Sequence, residues 1–235
     1  MHTVPPTYPR GHTDRIIDPP LLRLEPGARI ANSRGILGTL GCFALTLDDR
    51  RVVLLTSQHV LFGAGAREQE PVWLHDAATR RRAGRTRHGR RGIVKHGGRE
   101  VHVDCATAEL DVALVGEAGF TTQSPGADLA CGQSVHMLGA ATGATHGIVI
   151  STSHSEQVVI EGRAFEVRGQ ILVRTREPAR TFSRPGDSGA TLHDAEGAVV
   201  GLLWGTSSCG DAIACPIAPV LWVLHVELAH MTENA

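Results

Sequence analysis

Arg184-Pro185-Gly186-Asp187-Ser188-Gly189-Ala190 sets a serine between two glycines, directly after an aspartate. Gly186 and Gly189 lack Cβ atoms and let the chain bend sharply around Ser188. Such a bend aims the amides of Gly186 and Ser188 at one point, where a developing oxyanion needs donors. A serine hydroxyl is a poor nucleophile near neutral pH until a base takes its proton. Far upstream, Thr56-Ser57-Gln58-His59-Val60 supplies a candidate base, His59, just after the apolar run Val52–Leu55 and where a short helical turn starts.

An imidazole in that role needs a buried carboxylate to fix its tautomer and stabilise the imidazolium. Two aspartates head short apolar runs: Asp104 in Val103-Asp104-Cys105-Ala106-Thr107-Ala108, and Asp111 in Leu110-Asp111-Val112-Ala113-Leu114-Val115. Local sequence does not separate them. Asp111 has the cleaner strand behind it; Asp104 has more room before the next strand.

Outward from these motifs, short apolar runs recur between Gly, Asp and Asn: Ile36–Leu47, Val52–Thr56, Val72–His75, Val101–Val103, Val112–Val115, Val135–Leu138, Ile148–Ser151, Val158–Glu161, Ile171–Thr175 and Val199–Trp204. That spacing predicts strands. No run alternates with a long amphipathic helix, which disfavours a parallel doubly wound sheet and favours closed or sandwiched antiparallel sheets. The apolar residues of Val220–Met231, following Pro219, predict one C-terminal helix. Residues 1 to about 29 are rich in proline and poor in periodicity, and read as an extension before the ordered part.

A net charge of −1 gives no reason to expect a nucleic-acid partner, and no run approaches a membrane span. Arg80, Arg81, Arg82, Arg85, Arg87, Arg90, Arg91, Lys95 and Arg99 crowd one segment, which reads as a solvated hairpin or loop, with an anionic contact as the alternative. The start, Met1–Pro20, lacks the apolar core of a secretory signal. Five cysteines, an odd number without a C-x-x-C spacing, argue against a zinc site and a full disulfide framework. A reducing, cytoplasmic setting is expected; after export, Cys209 and Cys215 would be the first pair to examine. The remaining histidines form no H-E-x-x-H motif, so neither a metal nor a cofactor is expected. An α/β-hydrolase esterase is disfavoured, because Ala190 breaks the Gly-x-Ser-x-Gly pattern and His59 precedes the serine.

The stretches Gly38–Gly41, Thr56–Val60, Val103–Ala108, Gly139–Gly147 and Gly186–Gly189, in that order, resemble the trypsin-like, chymotrypsin-fold serine peptidases, from about Gly38 to Leu228. The likeness points to the bacterial and plant branch with a Val-Asp-Ala-Ala-like acid motif and a Gly-x-Thr-Thr-Gly turn, a turn that streptogrisin-like secreted enzymes share. The resemblance implies an all-β fold of two antiparallel six-stranded β-barrels, residues 30–118 and 119–235, with the active site between them and a C-terminal helix on the second. It implies a serine endopeptidase acting on a protein or peptide, with His59 and Asp104 from the first barrel and Ser188 from the second; it thus favours Asp104 over Asp111. Gly186 and Ser188 would form the oxyanion hole, and Asp187 would turn inward to an internal cation. Phe182 would lie near the floor of the primary pocket, with Trp204, Gly205 and Thr206 on its wall; simple core packing is the other reading of Trp204. No aspartate sits at the floor to favour Arg or Lys. The chain departs from the pattern at Ala140 and Ala141, more often Arg and Thr, at Ala190, and in lacking the disulfides usual near the site. A competing reading is a protease-fold module with an idle triad that binds peptides or proteins.

Overall fold

The computed structural model describes residues 24–75, 80–111, 119–160, 163–177 and 179–232. The expected strand Val112–Val115 and most of the proline-rich extension lie outside them. The first half of the chain runs β1 (Arg29–Ala31), β2 (Leu37–Thr39), β3 (Cys42–Thr46), β4 (Val52–Thr56), helix α1 (Gln58–Phe62), β5 (Pro71–His75), β6 (Arg80–His96), β7 (Arg99–Leu110) and β8 (Gly119–Thr122). The second half runs β9 (Ser134–Gly139), β10 (Gly143–Ile160), β11 (Arg163–Thr175), β12 (Thr191–His193), β13 (Val199–Thr206), β14 (Ala212–Pro216), helix α2 (Ile217–Leu224) and β15 (Val226–Thr232).

Nine strands form one sheet in the order β2-β1-β5-β6-β7-β4-β3-β15-β8. Six others pair in the cyclic order β10-β11-β14-β13-β12-β9, with β9 returning to β10. The expected pair of six-stranded barrels is therefore wrong: the first sheet holds nine strands in an order ending on β2 and β8, and its last recruit comes from the far end of the chain. Every strand pairing is antiparallel, as the absence of helical crossovers predicts.

The helix expected over Val220–Met231 is also corrected. It starts earlier, at Ile217, and stops at Leu224, because His225 adopts a left-handed conformation (φ 56°, ψ 49°) and its amide caps the carbonyls of Leu221 and Trp222. The next residues switch to a two-residue period: Val226 and Leu228 are buried while Glu227 is half-buried, and the segment pairs as β15 with β3 and β8. Apolar residues at 220, 221, 223, 224, 226 and 228 fit a helix in sequence, but the cap at His225 divides the run.

The arginine-rich segment is β6, paired along most of its length with β7. One apolar cluster joins both sheets and α2, with Val53, Leu55 and Val103 from the first sheet against Val167, Leu202 and Ile213 from the second, and Val220 from the helix. Separate clusters fill the first sheet around Leu40, Leu54 and Leu74, and the second around Met137, Val173 and Leu192. All five cysteines are free, with Cys42, Cys105 and Cys215 buried. Among the described residues, no helix is long and apolar enough to cross a membrane.

Leu228, 1% exposed, tests the role of β15. Leu228→Ala is expected to lower unfolding free energy in urea by about 2–5 kcal/mol. A solvated helical tail at this position would lose less than about 0.5 kcal/mol.

Candidate active site

β4 ends at Thr56, and the chain turns at once into α1, whose Val60 and Leu61 are fully buried. These two anchors leave His59 partly exposed, 28% by its side chain. The Ser57 hydroxyl donates to Leu203 O at 3.0 Å and ties this corner to β13 of the second sheet.

Asp104 projects from β7 and is fully buried. His59 meets it twice: its amide donates to Oδ1 at 3.1 Å, and Nδ1 lies 3.0 Å from Oδ2. With a neutral ring, that contact puts the proton on Nδ1 and the lone pair on Nε2. Arg91 Nε, from β6, sits 3.2 Å from the same Oδ2. Burial is the largest single influence on the Asp104 carboxyl and pushes it up, but the charge and hydrogen bonds of His59, with the charge of Arg91, outweigh burial and hold it below its ordinary 3.8. Asp111 lies elsewhere, its carboxylate accepting from Arg82 Nε at 3.0 Å and Nη2 at 2.8 Å. The structure thus brings Asp104 to His59 and gives Asp111 to a surface arginine.

The Ser188 loop precedes β12 in the second sheet. Gly189 has φ 95°, and a Cβ there would lie 1.9 Å from Thr56 Oγ1 and 2.5 Å from Thr39 O, so both conformation and space demand glycine. Asp187 is fully buried and accepts from the amides of Ala141 (2.8 Å), Thr142 (3.1 Å) and Arg184 (2.9 Å), and from the Thr142 hydroxyl (2.9 Å). Among the described residues its partners are these neutral donors and no cationic side chain. Gly139 permits the approach: a Cβ there would lie 2.3 Å from Asp187 Oδ1. Thr39 fastens the loop to the first sheet, its amide donating to Ser188 O (2.8 Å) and its hydroxyl to Gly186 O (2.9 Å).

Two features bear on the chemistry. The amides of Gly186 and Ser188 donate to no acceptor among the described residues. Nor do those residues' hydrogen bonds include one between Ser188 Oγ and His59 Nε2. Of the expected pocket residues, Phe182 is 4% exposed within the core of the second sheet, and Trp204 is 6% exposed, donating from Nε1 to Gln170 Oε1 at 2.7 Å and lying beside the His102 ring. Gly205 is half-buried and Thr206 exposed at the end of β13. Sequence reasoning missed Thr39, Thr142 and Arg91 as partners of the site. Thr39 and Thr142 do lie within the stretches that carried the resemblance; Arg91 had no signal beyond its basic neighbours.

No family model matches the chain, and no curated protein matches it in sequence. Solved structures do match. Nocardiopsis protease superposes with a TM-score of 0.59 at 16% identity, over 88% of this chain and 98% of that one. Thermobifida fusca protease A gives 0.56 at 18% identity, over 88% and 98%. A glutamic-acid-specific serine protease gives 0.60 at 16% identity, over 87% and 100%. The fold is that of the chymotrypsin-like bacterial serine proteases. At such identities the likeness carries the serine-protease fold and no individual residue's role.

Two predictions follow from the geometry. Gly189→Ala is expected to destabilise the protein by more than about 1 kcal/mol in urea unfolding, because the methyl collides with Thr56 and Thr39 and φ is left-handed. Asp104 is more acidic when folded than its ordinary 3.8, so its contribution to stability is complete above that value and is lost as pH falls through the lower folded value. The loss of stability below about pH 4 is expected to be shallower in Asp104→Asn than in the parent, as read by urea midpoints across pH.

Proposed function

We propose that the chain is a serine endopeptidase acting on protein or peptide substrates through an acyl-enzyme, with no cofactor. His59 Nε2 takes the Ser188 proton as Oγ attacks the scissile carbonyl, and Asp104 holds the imidazole and stabilises its charged form. The amides of Gly186 and Ser188 receive the oxyanion. Collapse of the tetrahedral adduct breaks the C–N bond while His59 returns the proton to the leaving amine. Water, deprotonated by the same imidazole, then releases the acid and restores Ser188. The single observation behind this reading is the His59–Asp104 pair, in a fold whose Gly-Asp-Ser-Gly loop keeps two amides without an acceptor among the described residues. All five cysteines are free, which suits the reducing interior of a cell as the setting.

The second reading, a peptide-binding module with an idle site, draws on the lack of a Ser188–His59 hydrogen bond. Catalytic hydrogen bonds in unliganded sites are often long and tighten only with substrate bound, so that feature does not by itself favour the module. A fluorophosphonate probe separates the readings. Labelling of the parent is expected at Ser188 and is expected to vanish in Ser188→Ala. His59→Ala is expected to slow peptide hydrolysis by on the order of 10⁴–10⁶-fold. A folded parent that neither takes the probe nor cleaves a proteome-derived peptide library is the binding module.

A further inference from the structure

Among the arginines of β6, Arg91 is set apart by its partner. Arg82 pairs with Asp111, Arg87 with Asp49, and Arg80 covers the Trp73 ring at 3.8 Å, all contacts at the surface. Arg91 instead reaches a carboxylate with no exposure at all, and is itself only 25% exposed by its side chain. The register explains this. Arg91 stands directly across from Asp104 in the β6–β7 ladder, so both side chains leave the ribbon on one face.

The acceptors on Asp104 can be counted. Oδ1 receives the His59 amide, while Oδ2 faces His59 Nδ1 and Arg91 Nε. Behind it, the Asp104 amide donates to Cys215 Sγ. Two cationic or potentially cationic groups thus share one oxygen of a buried carboxylate, and removing either leaves a charge short of partners. From this geometry we propose that Arg91 is a positioning residue for the His59–Asp104 pair: its guanidinium fixes Asp104 Oδ2 and shares the carboxylate's charge with the imidazole.

Among the described residues, the titratable groups around the pair are His59 from α1, Arg90 and Arg91 from β6, His102, Asp104 and Cys105 from β7, and Cys215 from β14. Burial pushes the Cys105 and Cys215 thiols up and the His102 imidazole down, leaving all three uncharged near neutral pH. Arg91 is therefore the cation that competes with a protonated His59 for Asp104. Without it, the whole carboxylate charge would fall on the imidazole, favour its charged form and free the carboxylate to shift.

The inference uses the proposed endopeptidase reading for its kinetic consequences, but its electrostatic part concerns only three side chains and is read without turnover. In NMR spectra of the full chain recorded across pH, the His59 ring signals of Arg91→Met are expected to be displaced toward those of the charged ring relative to the parent, with the low-field Nδ1 proton signal also displaced. Arg91→Gln is expected to move them the same way, and Arg91→Lys, which keeps the charge, to stay near the parent. In peptide hydrolysis, Arg91→Met is expected to lower kcat several-fold with KM little changed, and to carry the acid limb of the pH–rate profile upward together with the NMR displacement. Identical His59 signals in the parent, Arg91→Met and Arg91→Gln would overturn the inference even in an active enzyme. Displaced signals in a protein that cleaves nothing would uphold the electrostatic coupling and refute the endopeptidase reading instead.

Discussion

Thr39 is the point at which the Ser188 loop of the second sheet is fastened to the first. It ends β2 of the nine-stranded sheet, yet its amide goes to Ser188 O, its hydroxyl proton to Gly186 O, and its hydroxyl oxygen accepts from Ala140 N at 3.0 Å. Its carbonyl in turn receives the Thr56 hydroxyl at 2.7 Å. Buried backbone groups must be paired, so sliding the loop away from the first sheet would sacrifice several hydrogen bonds together. Two further hydroxyls reinforce the clamp: Ser57 donates to Leu203 O and Thr191 to Gly41 O. Three short polar side chains bridge the sheets without burying a charge between them.

Charge is buried at two other places, handled in opposite ways. Asp187 has four neutral donors from residues 141, 142 and 184, enough to replace the water an ionised carboxylate gives up. At Ala140 and Ala141, where the related turn more often has Arg and Thr, the Ala141 amide is one of those donors and the Ala140 amide goes to Thr39; the loop is shaped by dipoles that cannot titrate. Asp104 is served by His59 and Arg91, groups that carry or can acquire charge. A fixed scaffold surrounds the carboxylate that holds a loop, while the other carboxylate has one partner of fixed charge, Arg91, and one whose charge can change, His59.

Much of the site was legible because its requirements are local. A serine between glycines needs a bend, and the sharpest demand for glycine, at Gly189, lies within the motif itself. The choice between Asp104 and Asp111 was closed to local sequence because both head apolar runs, and only the ladder shows Asp104 across from Arg91 while Asp111 pairs with Arg82. Short apolar runs between turn residues marked strands, as at Val52–Thr56, which is β4 to the residue and buried on both faces. The β6 segment read as a solvated hairpin or loop, and it forms one arm of the β6–β7 hairpin; its crowded arginines gave no apolar pattern from which to tell strand from loop or to mark the strand's length. The nine-stranded sheet was missed for a different reason. The turn from α2 into β15 hangs on one left-handed residue, His225, and nothing in its side chain announces that conformation.

A hydrogen-bond account of the Ser188 loop leaves a telling remainder. The amides of Asp187, Gly189 and Ala190 go to Arg184 O, Leu203 O and Asp187 O, and the carbonyls of Gly186 and Ser188 are taken by Thr39. Among the described residues, what stays unspent is the amide of Gly186, the amide of Ser188 and the Ser188 hydroxyl, three groups within three residues of one another. Unpaired donors cost free energy wherever water is excluded, and a chain free to relax would fold them onto nearby carbonyls. Here the clamp at Thr39 and the four donors on Asp187 prevent that collapse. The loop is held open against its own tendency to self-satisfy, and the groups so withheld are the two amides and the hydroxyl on which the proposed acyl transfer would draw.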